Sequence, residues 1–297
     1  MAANSRRSVL YALSAVLLWS TVATAFKLSL RELSPIQLLF WANLFSFIAL
    51  ASWLMIVGKA RDALPTRNNI LPTLSLAVLN PLVYYAILFK AYDLLPAQVA
   101  QPVNYTWAFT LALMSVPLLG KRLTRYDILG GLIAYSGVWL LCSGAGGLAD
   151  DGLSVLGVSL ALVSTVIWSG FWILLTRDKR DTEAALCSAF GLSLPLTFAY
   201  CVSMDGLSLP SPEGFLGAFW VGLFEMGITF VLWGRAVRYA SNVAAISTLI
   251  FLSPFLSLIF INFVLDEPVK SSSLAGLAII VVGLLVQKRG SSGVTVR

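Results

Sequence analysis

"GKRLTRYDILGGLIAYSGVWLL" (residues 120–141) is echoed 146 positions later by "DEPVKSSSLAGLAIIVVGLLVQ" (266–287), so that Gly130 and Gly137 fall on Gly276 and Gly283. A second echo, at an offset of 149, sets "LLWSTVATAFKL" (17–28) beside "VIWSGFWILLTR" (166–177) and pairs Trp19-Ser20 with Trp168-Ser169. The chain therefore carries the same pattern twice. Each copy must hold a whole number of membrane crossings, and that number fixes how the copies face one another.

The crossings are read from composition and punctuation. The 297 residues are 58% hydrophobic and 11% charged, with a mean hydropathy of +0.86, a balance typical of a polytopic membrane protein. Charged and Pro/Gly-rich breaks leave ten apolar segments, at 8–30, 35–57, 70–92, 96–119, 124–144, 152–175, 182–203, 213–236, 241–264 and 271–288. Each approaches the roughly 20 residues that a helix needs to cross the hydrocarbon core. Helices are required because lipid offers no partner to an unpaired backbone group. The first segment lacks a small-residue cleavage site and is read as a span, not a removable signal.

Five crossings per copy is an odd number, so the copies run in opposite directions. The expected fold is an all-α integral membrane protein of ten transmembrane helices in two inverted five-helix repeats. The first repeat is 8–144, the linker 145–151, the second repeat 152–288 and the tail 289–297. Inverted repeats of this kind build secondary transporters, with the solute site near the bilayer midplane between the halves.

Charge orients the chain. With the N-terminus in the cytoplasm, 16 of the 20 Lys and Arg fall on the cytoplasmic side, as the positive-inside rule requires. We expect a multi-pass protein of the cell inner (plasma) membrane with both termini cytoplasmic. The net charge of +6 then reflects topology and attraction to anionic lipid, and no nucleic-acid partner is implied. The sequence has no histidine, which removes Ser-His-Asp and Cys-His chemistry. Cys142, Cys187 and Cys201 all lie in apolar stretches and suggest neither a disulfide framework nor a metal site. An enzyme is not expected, nor a cofactor. The implied partners are a small-molecule substrate and membrane lipid, with the chain acting as a monomer.

"QPVNYTWAF" (101–109) breaks the fourth segment with polar residues. At 100° per residue, Gln101, Asn104, Ala108 and Ser115 lie within about 60° of one another. Amides inside a membrane helix need a protein partner or a wet cavity, so this stripe should face the interior. Pro102 frees a carbonyl and should bend the helix. Trp19 and Trp107 lie near mid-span, away from the interfacial positions tryptophans usually take, and an indole there offers stacking and cation–π attraction. Glu225 is the one acid deep in a span, where it costs roughly 2.5–3.5 kcal/mol and so marks a functional candidate. It suits a proton-coupling or cation-binding carboxylate, and equally a protonated side chain bridging helices. Its counterpart at an offset of 145 is Asn80.

These features resemble the drug/metabolite transporter (DMT) superfamily of two EamA-type repeats. The resemblance rests on the paired Trp-Ser motifs, on "FLSPFLSLIFINFVLDEP" (251–268) and on the Gly-x6-Gly of the fifth and tenth segments. "VNYTWAF" (103–109) is similar to the YddG branch of amino acid exporters, although Ala108 and Lys121 depart from the pattern. The resemblance implies an exporter of amino acids, aromatic ones among them, or of similar amphipathic metabolites, by alternating access. A multidrug exporter of aromatic cations is the alternative. It also implies that Trp19, Trp107 and Trp168 line a central cavity that Ser253, the counterpart of Trp107, faces as well. The candidate substrate-binding residues are thus Trp19, Tyr85, Gln101, Asn104, Trp107, Trp168 and Ser253, with Glu225 as the proton or cation site. No Lys or Arg lies near mid-membrane, which disfavours phosphorylated solutes.

Overall fold

A computed structural model describes residues 2–120, 122–145, 153–240 and 243–291. The expected linker falls outside this set except for Ala145, as does the tail beyond 291. Among the described residues, nine helical spans are long and apolar enough to cross a membrane. They are α1 (Arg6–Glu32), α2 (Pro35–Ile56), α3 (Ile70–Leu94), α5 (Arg125–Gly144), α6 (Val155–Leu175), α7 (Thr182–Met204), α8 (Pro212–Arg238), α9 (Ala245–Leu265) and α10 (Ser271–Arg289). The remaining span, α4, is broken into Ala97–Tyr105 and Trp107–Leu119. The fold is the all-helical, twice-repeated one expected. Both ends of the ten-span chain lie on one face, here the terminal face; the other is the distal face.

Local sequence sets where the helices start and stop. Ser34 and Thr124 close capping boxes with Gln37 and Asp127, and Ser154 and Ser211 accept the Gly157 and Gly214 N–H groups at 3.0 Å. Each cap satisfies a first-turn donor that the helix cannot. The two repeats end their fourth spans alike. Gly120 (φ 65°) and Asp266 (φ 53°), 146 residues apart, both take the left-handed conformation that stops a helix.

Lipid gives apolar side chains no reason to leave it, so close backbone approach must hold the spans together. The α5–α10 pair does this at both glycine positions. A Cβ on Gly130 would lie 2.5 Å from the Gly283 carbonyl oxygen, and one on Gly137 would lie 2.6 Å from that of Gly276. Gly130 meets Gly283 and Gly137 meets Gly276, as two antiparallel copies of one motif must. Large apolar residues such as Leu132, Trp139, Ile48 and Phe263 remain exposed on the outside, a surface suited to lipid.

The repeats also exchange their first helices. α1 packs against α8 and α9 of the second repeat, whereas α6 packs against α3 and α4 of the first. Two bundles result, α3/α4/α6 and α1/α8/α9, with the α2–α7 and α5–α10 pairs beside them. The candidate residues are gathered at the seam between these bundles.

Candidate functional site

Five spans lose regular α-helical geometry: α1 turns at Thr21 with no matching break in α6, and the other four do so in symmetric pairs. α3 passes through a π-helical stretch at Val78–Val83, with Asn80 at φ −145°, ψ 117°, and α8 through one at Val221–Glu225. Asn80 and Glu225 are the pair matched in the sequence at the offset of 145. α4 breaks at Thr106, and α9 passes through a 3₁₀ stretch at Leu249–Leu252, 146 residues on at its last member. π-Bulges and broken spans collect at functional sites, because freed backbone groups persist in a membrane only where protein or a wet cavity meets them.

The break in α4 comes at Thr106, four residues after the proline at which a bend was expected. Pro102 stays inside Ala97–Tyr105, and the interruption comes at Thr106. There both the N–H (3.2 Å) and the hydroxyl (2.8 Å) of Thr106 turn back to the Val103 carbonyl oxygen. That local bonding competes with the α-helical ladder.

Trp168 is the hub of the cluster at these breaks. It is buried at 8% exposure. It stacks on Tyr84 at 4.5 Å, meets Trp107 edge-on at 6.4 Å, and contacts Trp172 at 5.9 Å and Phe230 at 6.2 Å. Trp19 joins from α1 through Phe230 (5.8 Å) and Trp233 (5.6 Å). Aromatic residues of both bundles therefore meet across the seam. Trp19 and Trp107 are half-buried there.

Polar groups ring this cluster. The Tyr85 hydroxyl donates to Glu225 Oε1 at 3.2 Å and so joins α3 to α8. Tyr85 is fully buried, while Glu225 is half-buried. The Tyr84 hydroxyl donates to Asn104 Oδ1 at 3.4 Å, and Asn104 Nδ2 donates to Ser164 Oγ at 2.9 Å. The Asn104 amide is thus engaged at both ends by protein. Ser169 Oγ donates to the Trp107 carbonyl oxygen at 3.1 Å and holds the start of the second half of α4.

Trp19, Tyr85, Asn104, Trp107, Trp168 and Glu225 are brought together by these contacts. Gln101 and Ser253 are not tied into them. Both are buried; Gln101 Oε1 and the nearby Trp172 Nε1 have no hydrogen-bond partner among the described residues, while the Ser253 hydroxyl lies beside that of Tyr105. Buried groups of this kind call for a ligand or a water. The sequence reading missed Phe230 and Trp172 as members of the cluster, because an aromatic residue facing a seam and one facing lipid look alike in one dimension. Among the described residues, no group of three or more His, Cys, Asp or Glu could hold a metal ion.

The model of the EamA-like transporter family matches residues 6–143 and 155–287, one match for each repeat. The chain belongs to the EamA-like transporter family. It is 24% identical over 286 residues to an uncharacterized transporter of Archaeoglobus fulgidus, covering 95% of this chain and 96% of that protein. It is 25% identical over 214 residues to the uncharacterized transporter YvbV of Bacillus subtilis, covering 70% and 68%. A solved crystal structure shares the fold of this EamA protein at a TM-score of 0.69 and 22% identity, covering 97% of this chain and 98% of the other.

Proposed function

We propose that this EamA transporter exports amino acids, aromatic ones among them, or similar small amphipathic metabolites, by alternating access at the seam between the α3/α4/α6 and α1/α8/α9 bundles. One observation carries the reading. The broken spans meet at an aromatic cluster that holds a single carboxylate, Glu225, and no basic side chain within the contacts described above. Indole faces attract both rings and ammonium groups, and Glu225 supplies the counter-charge for an amine. The unpaired Trp172 Nε1–H and the Ser253 hydroxyl can donate to the carboxylate end of an amino acid, and the unpaired Gln101 Oε1, an acceptor, can receive a hydrogen bond from its ammonium. The substrate-contacting set is Trp19, Tyr85, Gln101, Asn104, Trp107, Trp168 and Ser253. The proposed setting is the cell inner membrane, with both termini cytoplasmic and the chain acting as a monomer; the Lys/Arg excess on the terminal face supports the orientation.

The same lone carboxylate favours a second reading, export of aromatic organic cations. One flux assay separates the two. In proteoliposomes, aromatic amino acids should exchange and compete with one another; flux of organic cations that amino acids do not inhibit would establish the second reading instead.

Glu225 is proposed as the proton or cation site. Glu225→Gln should abolish transport driven by a proton gradient and spare exchange. Unchanged gradient-driven uptake would remove Glu225 from coupling.

A further inference from the structure

On the distal face the two bundles are joined by a polar cluster that the solute site does not use. Glu267, just past α9, accepts the Ala97 N–H through Oε2 and the Gln98 N–H through Oε1, both at 3.3 Å. These are first-turn donors of α4, which lack an intrahelical partner and attract negative charge. Lys27 of α1 does the reverse at the neighbouring helix. Its Nζ donates to the carbonyl oxygens of Tyr92 (2.8 Å) and Leu95 (3.1 Å) at the C-terminal end of α3, where a cation is favoured. Lys27 and Glu267 also attract each other. The Gln98 side chain completes the closure by donating to the Pro268 carbonyl oxygen at 3.1 Å and accepting from the Lys270 N–H (3.1 Å) and Ser273 Oγ (2.7 Å). One acid and one base of the α1/α9 bundle thus clamp two helix ends of the α3/α4 bundle.

Inverted symmetry implies a matching clamp on the terminal face, and the sequence does not supply it. The counterpart of Glu267 at the offset of 146 is Lys121, which lies outside the described residues, and the counterparts of Ala97 and Gln98 are Val243 and Ala244. The counterpart of Lys27 at the offset of 149 is Thr176, whose hydroxyl returns to the Ile173 carbonyl oxygen of its own helix at 2.8 Å. The packing agrees. The terminal half of α4, Trp107–Leu119, packs mainly on α6, whereas Val243–Leu252 packs on α1 and α8.

We propose that Lys27, Gln98 and Glu267 form a latch that closes the distal face, and that the lack of a symmetric counterpart in the sequence biases the protein toward the state open at the terminal face. This rests on the alternating-access reading but not on the identity of the solute.

The test reads accessibility, not transport. In a background without the three native cysteines, Thr24→Cys puts a thiol on the distal half of α1, where Thr24 is 6% exposed. Its reaction with a water-soluble maleimide should be slow. Glu267→Gln and Lys27→Met should each speed it about tenfold, the scale set by a lost charged hydrogen bond. A Ser193→Cys thiol, buried in α7 against Asn43, should stay unreactive throughout, since only a loosened fold would expose it. Should Glu267→Gln fail to fold, Lys27→Met decides. Unchanged Thr24→Cys reactivity in the folded variants, or reactivity that rises equally at Ser193→Cys, overturns the latch.

Discussion

Trp107 and Trp168 touch at 6.4 Å, yet truncation should separate them. Trp168 is buried, and its stacking on Tyr84 ties α6 to α3, so Trp168→Ala should cost about 3–5 kcal/mol and lower the yield of folded protein along with flux. Trp107 is half-buried, and Trp107→Ala should cut flux while leaving the melting temperature in detergent nearly unchanged. Equal loss of folding in both variants would assign Trp107 to packing. Asp178 makes a prediction of a different kind, in the loop between α6 and α7. The Arg180 guanidinium, bonded to its Oδ2 at 2.6 Å, holds the Asp178 carboxyl below its usual range. A carboxyl held down in the folded state stabilises above its ordinary pKa, and that contribution is lost as pH falls through the lowered value. Asp178→Asn should therefore lower the melting temperature at pH 7 and lose that deficit in acid, where the wild-type carboxyl is protonated too. A deficit independent of pH would mean that charge is not its source. Lys59 and Asp181 form a second ion pair on the same face. It is exposed and should add little.

At the scale of elements, the α5–α10 contact is the most legible part of the chain, and it makes the sharpest stability prediction. Gly283→Ala would press a Cβ to 2.5 Å from the Gly130 carbonyl oxygen and 2.6 Å from the Ala134 nitrogen. Backbone cannot yield as a side-chain tip can, so a loss of at least about 1–3 kcal/mol is expected. Gly170→Ala is the control, because the nearest atom to its Cβ is Met114 Cε at 3.7 Å, and its melting temperature should not move. A Gly283→Ala protein as stable as wild type would show that the two helices can separate. The glycine spacing was readable because a motif repeated at a fixed offset needs no knowledge of neighbours. The breaks in the helices were harder to read. Pro102 signalled a bend in α4, but Thr106 makes the break, since a threonine hydroxyl can displace the ladder wherever tertiary packing allows. The π-helical stretches at Asn80 and Glu225 left only a trace in the sequence, two polar residues at matched positions. That trace marked the place without revealing the geometry. Tyr85 and Glu225 meet across the seam although they sit 140 residues apart, and no periodicity along either helix encodes that pairing.

At the scale of the molecule, ten spans, two copies and opposite directions were all legible, because hydrophobic length and charge asymmetry are imposed by the bilayer itself. The exchange of first helices was not legible, since α1 and α6 show the same apolar pattern whichever bundle receives them. It has a consequence for how the chain assembles. Within the first repeat, α1 makes few contacts with α2, α3 and α4; its main neighbours are α8 and α9, while α3 and α4 rely on α6. A single repeat would thus leave the glycine face of α5 and the seam faces of α1, α3 and α4 without partners. Lipid does not punish exposed apolar surface, but it does penalise polar groups stripped of partners, such as Asn104 without Ser164 and Gln98 without Ser273. A chain ending at residue 145 should therefore fail to give monodisperse protein in detergent, and so should one beginning at 153. Expressed together, the two pieces should co-purify through a tag on either one and restore exchange of whatever solute the intact protein carries. Gly283→Ala in the second piece should weaken that association, since it forces apart a close backbone contact between repeats. Two halves that are each well folded and monodisperse alone would refute the exchange of helices as the source of stability.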